Sequence, residues 1–468
     1  MDGTVFPALT TTLAGSAGAS ATCRGGVLEL YRQAVPEEFF RRLEKELNLS
    51  SRKRVFQLPL VVWMMIWQRL DAKATLSTAV QQVVEQRPQS LLPEHKRIRE
   101  KTVRCHTGAY SDARHAMPVK VAERVADRVL EHLLPNRREA LPGWVRRVLV
   151  LDGSTLETPH TAELVKAYPP ATNQHGKSHW PVIRVLVAND LTTGLAERPC
   201  WGAMYGPHAV SEQSLTEQFL DRLREACVLM GDINFGVFSV AFAGTQRGHD
   251  VLLRLQPSRA AVVGRGLTLS SGTDQQVCWH PSAYERKQHP ELPADASVSG
   301  RLIVQKVTTS AGTSVTLYFF TTLLLEVAQL LKLYGQRWNI ETDLRSLKQT
   351  VKLQVLRCES VDMIAKELVL AIVGYNLVRA VMNAAAVENH LDPRRLSFSR
   401  CQDVVNAALP GLDAAPTEAE YQVRLCRMLQ RVASCKLPNR SRRAAIPRQI
   451  WGHAPKFPKR KVDAPNQG

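Results

Sequence analysis

The sequence has little of what membrane-embedded, disulfide-stabilised or zinc-binding proteins need. Its most apolar run, residues 58–67, has about half the length that crosses a bilayer, so it predicts a buried helix instead. The nine cysteines form no CxxC pair and no Cys/His cluster at zinc spacing, which favours a reduced cytosolic protein. No G-x-S-x-G element is present and no cysteine has an evident histidine partner, so a serine or cysteine hydrolase has no support.

The first residues carry no secretory signal, and the chain is short of acidic residues. Residues 1–26 lack a basic n-region and a continuous apolar h-region, so we expect a disordered tail there. The 61 Lys and Arg residues outnumber 43 Asp and Glu residues, for a formal charge of +18. This charge predicts a polyanionic partner, because each neutralised phosphate releases condensed counterions. Ribosomal or membrane-surface binding would give the same charge, so a catalytic site has to separate these classes.

One predicted helix carries a tyrosine, an arginine, a carboxylate and a lysine on one side. Tyr334, Arg337, Glu341 and Lys348 fall within an arc of roughly 60° at about 100° per residue. A neighbouring apolar stripe is expected to anchor this helix and to leave the polar face pointing outward; it consists of Leu333, Ile340, Leu344, Leu347 and Val351. A glutamate flanked by two cations in so basic a chain predicts a metal ligand beside a nucleic-acid backbone.

Two aspartates precede this helix, each at the end of an apolar run. Residues 148–151 predict a strand buried on both faces, followed by Asp152 and ended by Gly153. A carboxylate at such a strand exit lies at the rim of a sheet, where ligands bind in open α/β folds. An Asp-Gly turn without chemistry is the alternative. Asp232 follows a second short apolar run, and Phe235 comes three residues later.

The interval between the two aspartates has the parts of a ribonuclease-H-like core. Residues 182–188 and 196–205 predict two strands, and residues 211–225 predict an amphipathic helix capped by Ser211. Three strands, a helix and a fourth strand carrying Asp232 give the expected topology. Asp190, in a turn by composition, and Asp221, on the helix, are rival carboxylates that we interpret as structural.

The three motifs together resemble those of the bacterial insertion-sequence transposases of the DDE type, of the cut-and-paste kind with a Y-R-E-K signature. The resemblance implies that Asp152, Asp232 and Glu341 are the catalytic and metal-binding carboxylates, the first of them bridging two metal ions. It implies further that Tyr334, Arg337 and Lys348 contact phosphates near the transposon end. The arginine that usually follows the second aspartate is replaced by Ile233.

Three carboxylates suit this chemistry on physical grounds. Phosphodiester cleavage without a covalent enzyme intermediate needs an activated water or 3′-hydroxyl and a cation on the leaving oxygen. Two Mg²⁺ ions about 3.5 to 4 Å apart supply both, and carboxylate oxygens suit Mg²⁺ and Mn²⁺.

Trp279 is a further candidate for a DNA contact. In some relatives a tryptophan of the β-rich insertion stacks on a flipped base while a DNA hairpin forms. The alternative is a tryptophan that packs a small β domain.

The predicted fold is an α/β ribonuclease-H-like mixed-sheet catalytic core with a β-rich insertion, preceded by an all-α N-terminal domain. We expect a disordered tail at 1–26, an α-helical DNA-end-binding domain at 27–142, the DDE catalytic domain at 143–390 and a basic region at 391–468. The insertion spans about 256–314, and a second long helix spans 361–387. The basic residues interleaved in the N-terminal domain are Arg52, Lys53, Arg54, Lys96, Arg97, Arg99, Lys101 and Arg104. An ordinary helical bundle with a solvated basic face is the alternative for that domain.

These features predict a DNA transposase that binds terminal inverted repeats, cleaves the element's ends and joins the 3′-hydroxyls to target DNA. Double-stranded DNA and a second copy of the chain, as a homodimer on DNA, are the expected partners. No membrane is expected, and the protein should act in the bacterial cytoplasm at the nucleoid. Two alternatives remain: a ribonuclease-H-like nuclease or resolvase without strand joining, and a noncatalytic DNA-binding protein derived from a transposase.

Overall fold

The computed structural model describes residues 24–49, 54–71, 73–134, 146–173, 176–308, 314–350, 353 and 356–438. The predicted N-terminal tail lies almost entirely outside these residues, as do Arg52 and Lys53. Most of the cationic C-terminal tail, from residue 439 onward, also lies outside them.

All of the regular secondary structure described between residues 24 and 134 is helical. The helices are α1 (Val27–Ala34), α2 (Glu37–Glu46), α3 (Leu58–Leu70), α4 (Leu76–Val84), α5 (Lys96–Arg99), α6 (Gly108–Ala116) and α7 (Val119–Leu133), with a 3₁₀ turn at Gln89–Leu91. Helix α3 contains the most apolar run and is buried over most of its residues, as predicted. In α7, Val121, Val125 and Val129 recur every four residues and are fully buried, which gives the helix one apolar face for the core.

One eight-stranded sheet dominates the rest of the chain. Its strands stand in the order β5-β4-β1-β6-β7-β10-β9-β8, and β2 and β3 form a separate two-stranded ribbon. The strands are β1 (Arg147–Glu157), β2 (Thr172–Asn173), β3 (Gly176–Lys177), β4 (Val182–Asp190), β5 (Cys200–Ala203), β6 (Cys227–Gly231), β7 (Asp250–Arg254), β8 (Thr273–Trp279), β9 (Val298–Thr308) and β10 (Ser314–Thr321).

The directions of the first five strands of this order follow from their pairing. Strand β1 is antiparallel to β4 and parallel to β6, while β4 is antiparallel to β5 and β6 is parallel to β7. A mixed sheet with an antiparallel meander on one side of its first strand and parallel strands on the other is consistent with a ribonuclease-H-like core. The strands predicted at 148–151 and 182–188 are present, and the short apolar run before Asp232 forms β6.

The predicted β-rich insertion contributes strands to the same sheet. Strand β10 pairs with β7, β9 pairs with β10, and β8 pairs with β9, all antiparallel. The alternating apolar runs at 301–307 and 315–321 predict two strands, and these are present as β9 and β10. They extend the core sheet and do not form a sheet of their own.

Helices cover both faces of the sheet. The remaining helices are α8 (Ala162–Ala167), α9 (Glu212–Leu220), α10 (Phe238–Gln246), α11 (Pro257–Val263), α12 (Ala283–Gln288), α13 (Val327–Gly335), α14 (Asn339–Arg345), α15 (Val361–Glu388), α16 (Phe398–Asp413) and α17 (Glu418–Ala433). Alternate residues of β1 face opposite layers. Leu149 and Leu151 share a core with α9 and α10, whereas Val148 and Val150 share one with α13 and α14.

The long helix predicted at 361–387 is present as α15, the central helix of the helical layer. It packs against α3, α7 and α17, and its residues share one core with those of the N-terminal helices. By length and composition alone α15 could cross a membrane, but 89% of its most apolar window is buried inside the protein, as in a core helix.

Candidate active site

The two aspartates singled out in the sequence lie side by side at one edge of the sheet. The last parallel pair between β1 and β6 is Val150 with Met230, and each aspartate comes two residues further on. Asp152 has the same orientation as Val150, toward the layer of α13 and α14. The prediction that this strand ends at Gly153 is wrong. The antiparallel pairing of β1 with β4 continues to Glu157.

Asp232 is held by the turn that follows β6. Its Oδ1 accepts a hydrogen bond from the Asn234 backbone N–H at 2.9 Å, and its carbonyl accepts one from the Phe235 N–H at 3.1 Å. The fully buried Phe235 ring anchors this turn in the core. Gly231 makes room for it, since a Cβ there would lie 2.4 Å from the Phe235 Cβ. The aromatic residue three positions after the aspartate therefore has a structural purpose.

The pKa of Asp152 reports how crowded this edge is. Burial, and after it the neighbouring Asp232, raise the pKa of the Asp152 carboxyl to about 7. The Arg337 guanidinium and the Gly153 backbone N–H act in the opposite direction. Two carboxylates that cannot both ionise cheaply favour either a shared proton or a bound cation.

The segment that carries the other four candidates is helical but irregular. Helix α13 runs into a 3₁₀ turn at Gln336–Trp338, then into α14, then into a π-helical turn at Ser346–Thr350. The prediction of a single regular helix is therefore wrong. Gly335 at the first junction has a low helix propensity, and the Ser346 hydroxyl at the second donates back to the Thr342 carbonyl at 2.9 Å.

The apolar stripe predicted beside these candidates is largely present. Leu333, Ile340 and Leu347 are buried and Leu344 is half-buried, whereas Val351 lies outside the described residues.

The prediction that Tyr334 points outward is wrong. It is 3% exposed, and its ring packs edge-on against Phe319 at 4.7 Å between centroids. Burial raises its pKa to about 12. The hydroxyl makes no geometrically sound hydrogen bond to a residue that the structure describes, although the Arg254 guanidinium lies close enough to lower that pKa.

Arg337 connects the segment of α13 and α14 to the aspartates. Its guanidinium lies 6.0 Å from the centre of the Tyr334 ring, and its Nη2 lies 3.5 Å from Oε1 of Glu341. The same guanidinium lowers the pKa of Asp152. Glu341 is about one-third exposed, and Lys348 is half-buried in the π-helical turn.

The structure thus brings Asp152, Asp232 and Arg337 together and holds Glu341 on Arg337. Among the described residues, no three His, Cys, Asp or Glu side chains are grouped so that they could hold a metal ion as they stand. The convergence of all three carboxylates on one site remains a prediction.

Glu212 is a carboxylate of this edge that sequence reasoning missed. It is the first residue of α9, behind the Ser211 cap, and a Cβ on Gly153 would lie 2.1 Å from its Oε1. Burial raises the pKa of Glu212, and Arg184 opposes this rise while Asp232 adds to it. The prediction of a Ser211 cap is confirmed, but no local pattern pairs Glu212 with a glycine about sixty positions earlier.

Trp279 occupies a position that conflicts with its predicted contact to a flipped base. It is 1% exposed and packs edge-on between Phe238 and Phe320, with ring centroids 5.9 and 4.9 Å away. The alternative, a tryptophan that packs the β region, describes this environment. Trp338, next to Arg337, is by contrast 42% exposed.

The rival carboxylates have structural partners, as interpreted from the sequence. Asp190 is buried in the β4–β5 turn, where its Oδ1 accepts backbone N–H groups of the turn and its Oδ2 accepts a hydrogen bond from Arg147 at 3.0 Å. Asp221 pairs with Arg247 at 2.6 Å.

Comparison with known proteins agrees with this geometry. A family model described as a transposase DDE domain matches residues 143–377. The chain therefore belongs to the transposases with a DDE domain, enzymes that cut and join DNA and generally use divalent metal ions.

Within that family the chain is similar to the transposase InsG for insertion sequence element IS4 of Escherichia coli (strain K12). The two are 26% identical over 438 residues, which cover 90% of this chain and 91% of that protein. The chain also aligns with piggyBac transposase in a synaptic complex with hairpin DNA, at 12% identity and a TM-score of 0.41, over 90% of this chain and 88% of that chain. The fold assignment rests on the strand order described above and not on this last likeness.

Proposed function

We propose that the protein binds the terminal inverted repeats of its own element, cleaves DNA at the ends and joins the freed 3′-hydroxyls to target DNA. The observation that carries this proposal is the position of Asp152 beside Asp232, two residues beyond the last parallel pair of β1 and β6, on the face covered by α13 and α14. Asp152, Asp232 and Glu341 are the proposed catalytic carboxylates of a Y-R-E-K transposase.

The donor set fits a divalent metal ion. Two crowded carboxylates, one with its pKa raised to about 7, would be relieved by a cation between them. Two Mg²⁺ ions, or Mn²⁺, would supply activation of the attacking water or 3′-hydroxyl and charge stabilisation of the leaving oxygen. Asp152, Asp232 and Glu341 would hold these ions through hard oxygen ligands.

Arg337 links DNA binding to completion of the metal site. Its guanidinium now holds Glu341 at 3.5 Å. A phosphate binds a guanidinium in a bidentate manner and competes with that carboxylate. Binding of the DNA backbone by Arg337 and Lys348 would therefore release Glu341 toward the aspartates, so that substrate binding precedes assembly of the metal site, whereas the buried Tyr334 supports the Arg337 guanidinium from behind.

The N-terminal helices are the proposed reader of the terminal repeats. The basic residues of α5 and of the loop after it are exposed and make no ion pair with any residue that the structure describes; they are Lys96, Arg97, Arg99, Lys101 and Arg104. Arginine and lysine side chains that are not neutralised by the fold remain available for phosphates. The basic residues at 391–468 would add nonspecific contacts.

We further propose that the active assembly is a homodimer on DNA in the bacterial cytoplasm, because cut-and-paste transposition must hold two ends at once. Two chains of +18 repel each other until phosphates neutralise them. Light scattering with and without end-containing duplex should therefore detect dimers only with DNA. Cleavage-competent complexes of one chain on one DNA end would contradict this assembly.

The decisive experiment uses purified protein, Mg²⁺ and a DNA fragment that bears the element's flanking inverted repeats, with cut strands mapped at nucleotide resolution. Alanine at Asp152, Asp232 or Glu341 should abolish cleavage and leave DNA binding near normal, whereas alanine at Asp221 should leave both intact. Equal loss of binding would indicate a structural role. Cleavage without joining would indicate a nuclease or resolvase, and binding without cleavage a noncatalytic derivative.

A further inference from the structure

Two residues after Glu341, α14 carries a fully buried carboxylate. Asp343 is 1% exposed. Arg394 Nη1 donates to its Oδ1 at 2.8 Å and its Oδ2 at 2.7 Å, and Arg379 Nη2 donates to the same Oδ1. The carboxylate needs such partners, because a buried charge that has lost its partner strongly destabilises a fold. We call Asp343, Arg379 and Arg394 the Asp343 clamp.

The Arg394 side of the clamp is fixed to the turn between β4 and β5. Arg394 Nη2 donates to the carbonyls of Asp190 and Leu191 at 2.9 and 2.8 Å. Gly194 in this turn has a φ of +74°, and a Cβ there would lie 2.8 Å from Arg394 Nη1. The turn backbone is therefore shaped to receive this guanidinium. Strand β4 is in turn paired with β1, which carries Asp152.

The Arg379 side is fixed to α15. The Arg379 guanidinium lies 5.3 Å from the centres of both the Tyr375 and the Phe398 rings, and its Nε donates to the Tyr375 hydroxyl at 2.9 Å. The Tyr375 hydroxyl donates to the Gly194 carbonyl at 2.9 Å. Arg379 is thus a buried structural residue.

Helix α14 depends on such contacts for its orientation. It has only seven residues, between a 3₁₀ turn and a π-helical turn. Neither turn continues the hydrogen-bond pattern of an α-helix, so the direction in which α14 presents its side chains is not inherited from α13. The Asp343 clamp ties α14 through buried charges to β4 and to α15.

We propose that Asp343 is a positioning residue: its clamp sets the orientation in which α14 presents Glu341 to Asp152 and Asp232. The inference rests on the proposed function and deepens it. A purely structural ion pair would lower stability without changing how the site binds metal. Groups that orient metal ligands typically change metal affinity or activity about 10- to 100-fold when they are replaced.

The test compares Asp343→Asn with Glu367→Gln. Glu367 is an equally buried carboxylate, 4% exposed, which pairs with Arg69 and accepts the Cys358 backbone N–H at 3.1 Å, but it lies on α15. Two quantities are measured on the full-length protein with end-containing DNA. One is the Mn²⁺ concentration that gives half-maximal cleavage, and the other is the rise in melting temperature that Mn²⁺ produces.

Both variants should melt at lower temperature than the wild type. Only Asp343→Asn should need about 10- to 100-fold more Mn²⁺ for cleavage and for the rise in melting temperature, with unchanged DNA affinity. If Asp343→Asn fails to fold, Arg394→Lys replaces it, since lysine keeps the charge and loses the bidentate contact.

Two results would overturn the inference in different ways. If the wild type cuts DNA and both variants keep its Mn²⁺ dependence, the clamp is only structural and the proposed function stands. If the wild type neither cuts DNA nor responds to Mn²⁺, the proposed function fails together with the clamp.

Discussion

Replacing Asp152 by asparagine should stabilise the metal-free protein. The carboxyl is buried beside Asp232, and its pKa is raised to about 7 by burial first and by that neighbour second. An asparagine has nearly the same shape, can still accept the Gly153 N–H and carries no charge. The change removes the repulsion and the desolvation of a charged group, while the surrounding packing remains.

The magnitude and the pH window follow from the same pKa. In the unfolded chain the group titrates near pH 4, so the folded state holds its proton over a range in which the unfolded state has lost it. Ionisation of Asp152 therefore does not lower the free energy of unfolding below about pH 4. The loss grows between about pH 4 and pH 7 and stays constant at higher pH. A difference of about three pH units at about 1.36 kcal/mol each corresponds to about 4 kcal/mol at pH 8.

Urea unfolding of wild type and Asp152→Asn in EDTA, at pH 8 and at pH 4.5, measures this difference. The variant should be more stable at pH 8, and the gap should nearly close at pH 4.5. Saturating Mg²⁺ should raise the stability of the wild type and not of the variant. Asp221→Asn is the control, because its exposed pair with Arg247 should be worth about 0–1 kcal/mol. A variant no more stable than wild type at pH 8 would refute the reasoning.

Three further changes test other parts of the site. Neutralising Arg337 or Lys348 should weaken DNA binding across sequences and flatten its log–log salt dependence by about one, measured by fluorescence anisotropy; lower thermal stability with an unchanged slope would indicate a structural pair. Gly231→Ala should cost about 1–3 kcal/mol in urea unfolding and weaken cleavage, since its Cβ would collide with Phe235; unchanged stability would contradict this. Trp279→Ala should lower the free energy of unfolding by about 3–5 kcal/mol, whereas Trp279→Phe should still cleave DNA normally. Loss of cleavage in a folded Trp279→Phe variant would support the predicted contact of Trp279 with DNA.

The sequence predicted those parts of the site that depend on local pattern. An apolar run followed by an aspartate indicates a strand and its exit, and both β1 and β6 lie where these runs predicted. Parallel neighbours then bring two strand ends to one edge, so the meeting of Asp152 and Asp232 followed from topology.

The parts that were missed depend on contacts distant in sequence. A regular helix was expected over Tyr334 to Lys348 because periodicity does not distinguish α-helical from 3₁₀ and π-helical turns. Tyr334 is buried and does not face outward, because Phe319 of β10 packs against its ring. No local pattern singles out Asp343, since its two arginine partners lie 36 and 51 positions away.

Helix α15 has a consequence for how this protein can be divided. The match to the transposase DDE domain ends at residue 377, in the middle of α15, whose surface is shared with α1, α3 and α7. Cutting the chain on either side of the catalytic segment would leave a long apolar helix facing water. The N-terminal helices and the DDE domain therefore cannot be exchanged separately between related transposases. A productive hybrid has to inherit the N-terminal helices and α15 from the same parent.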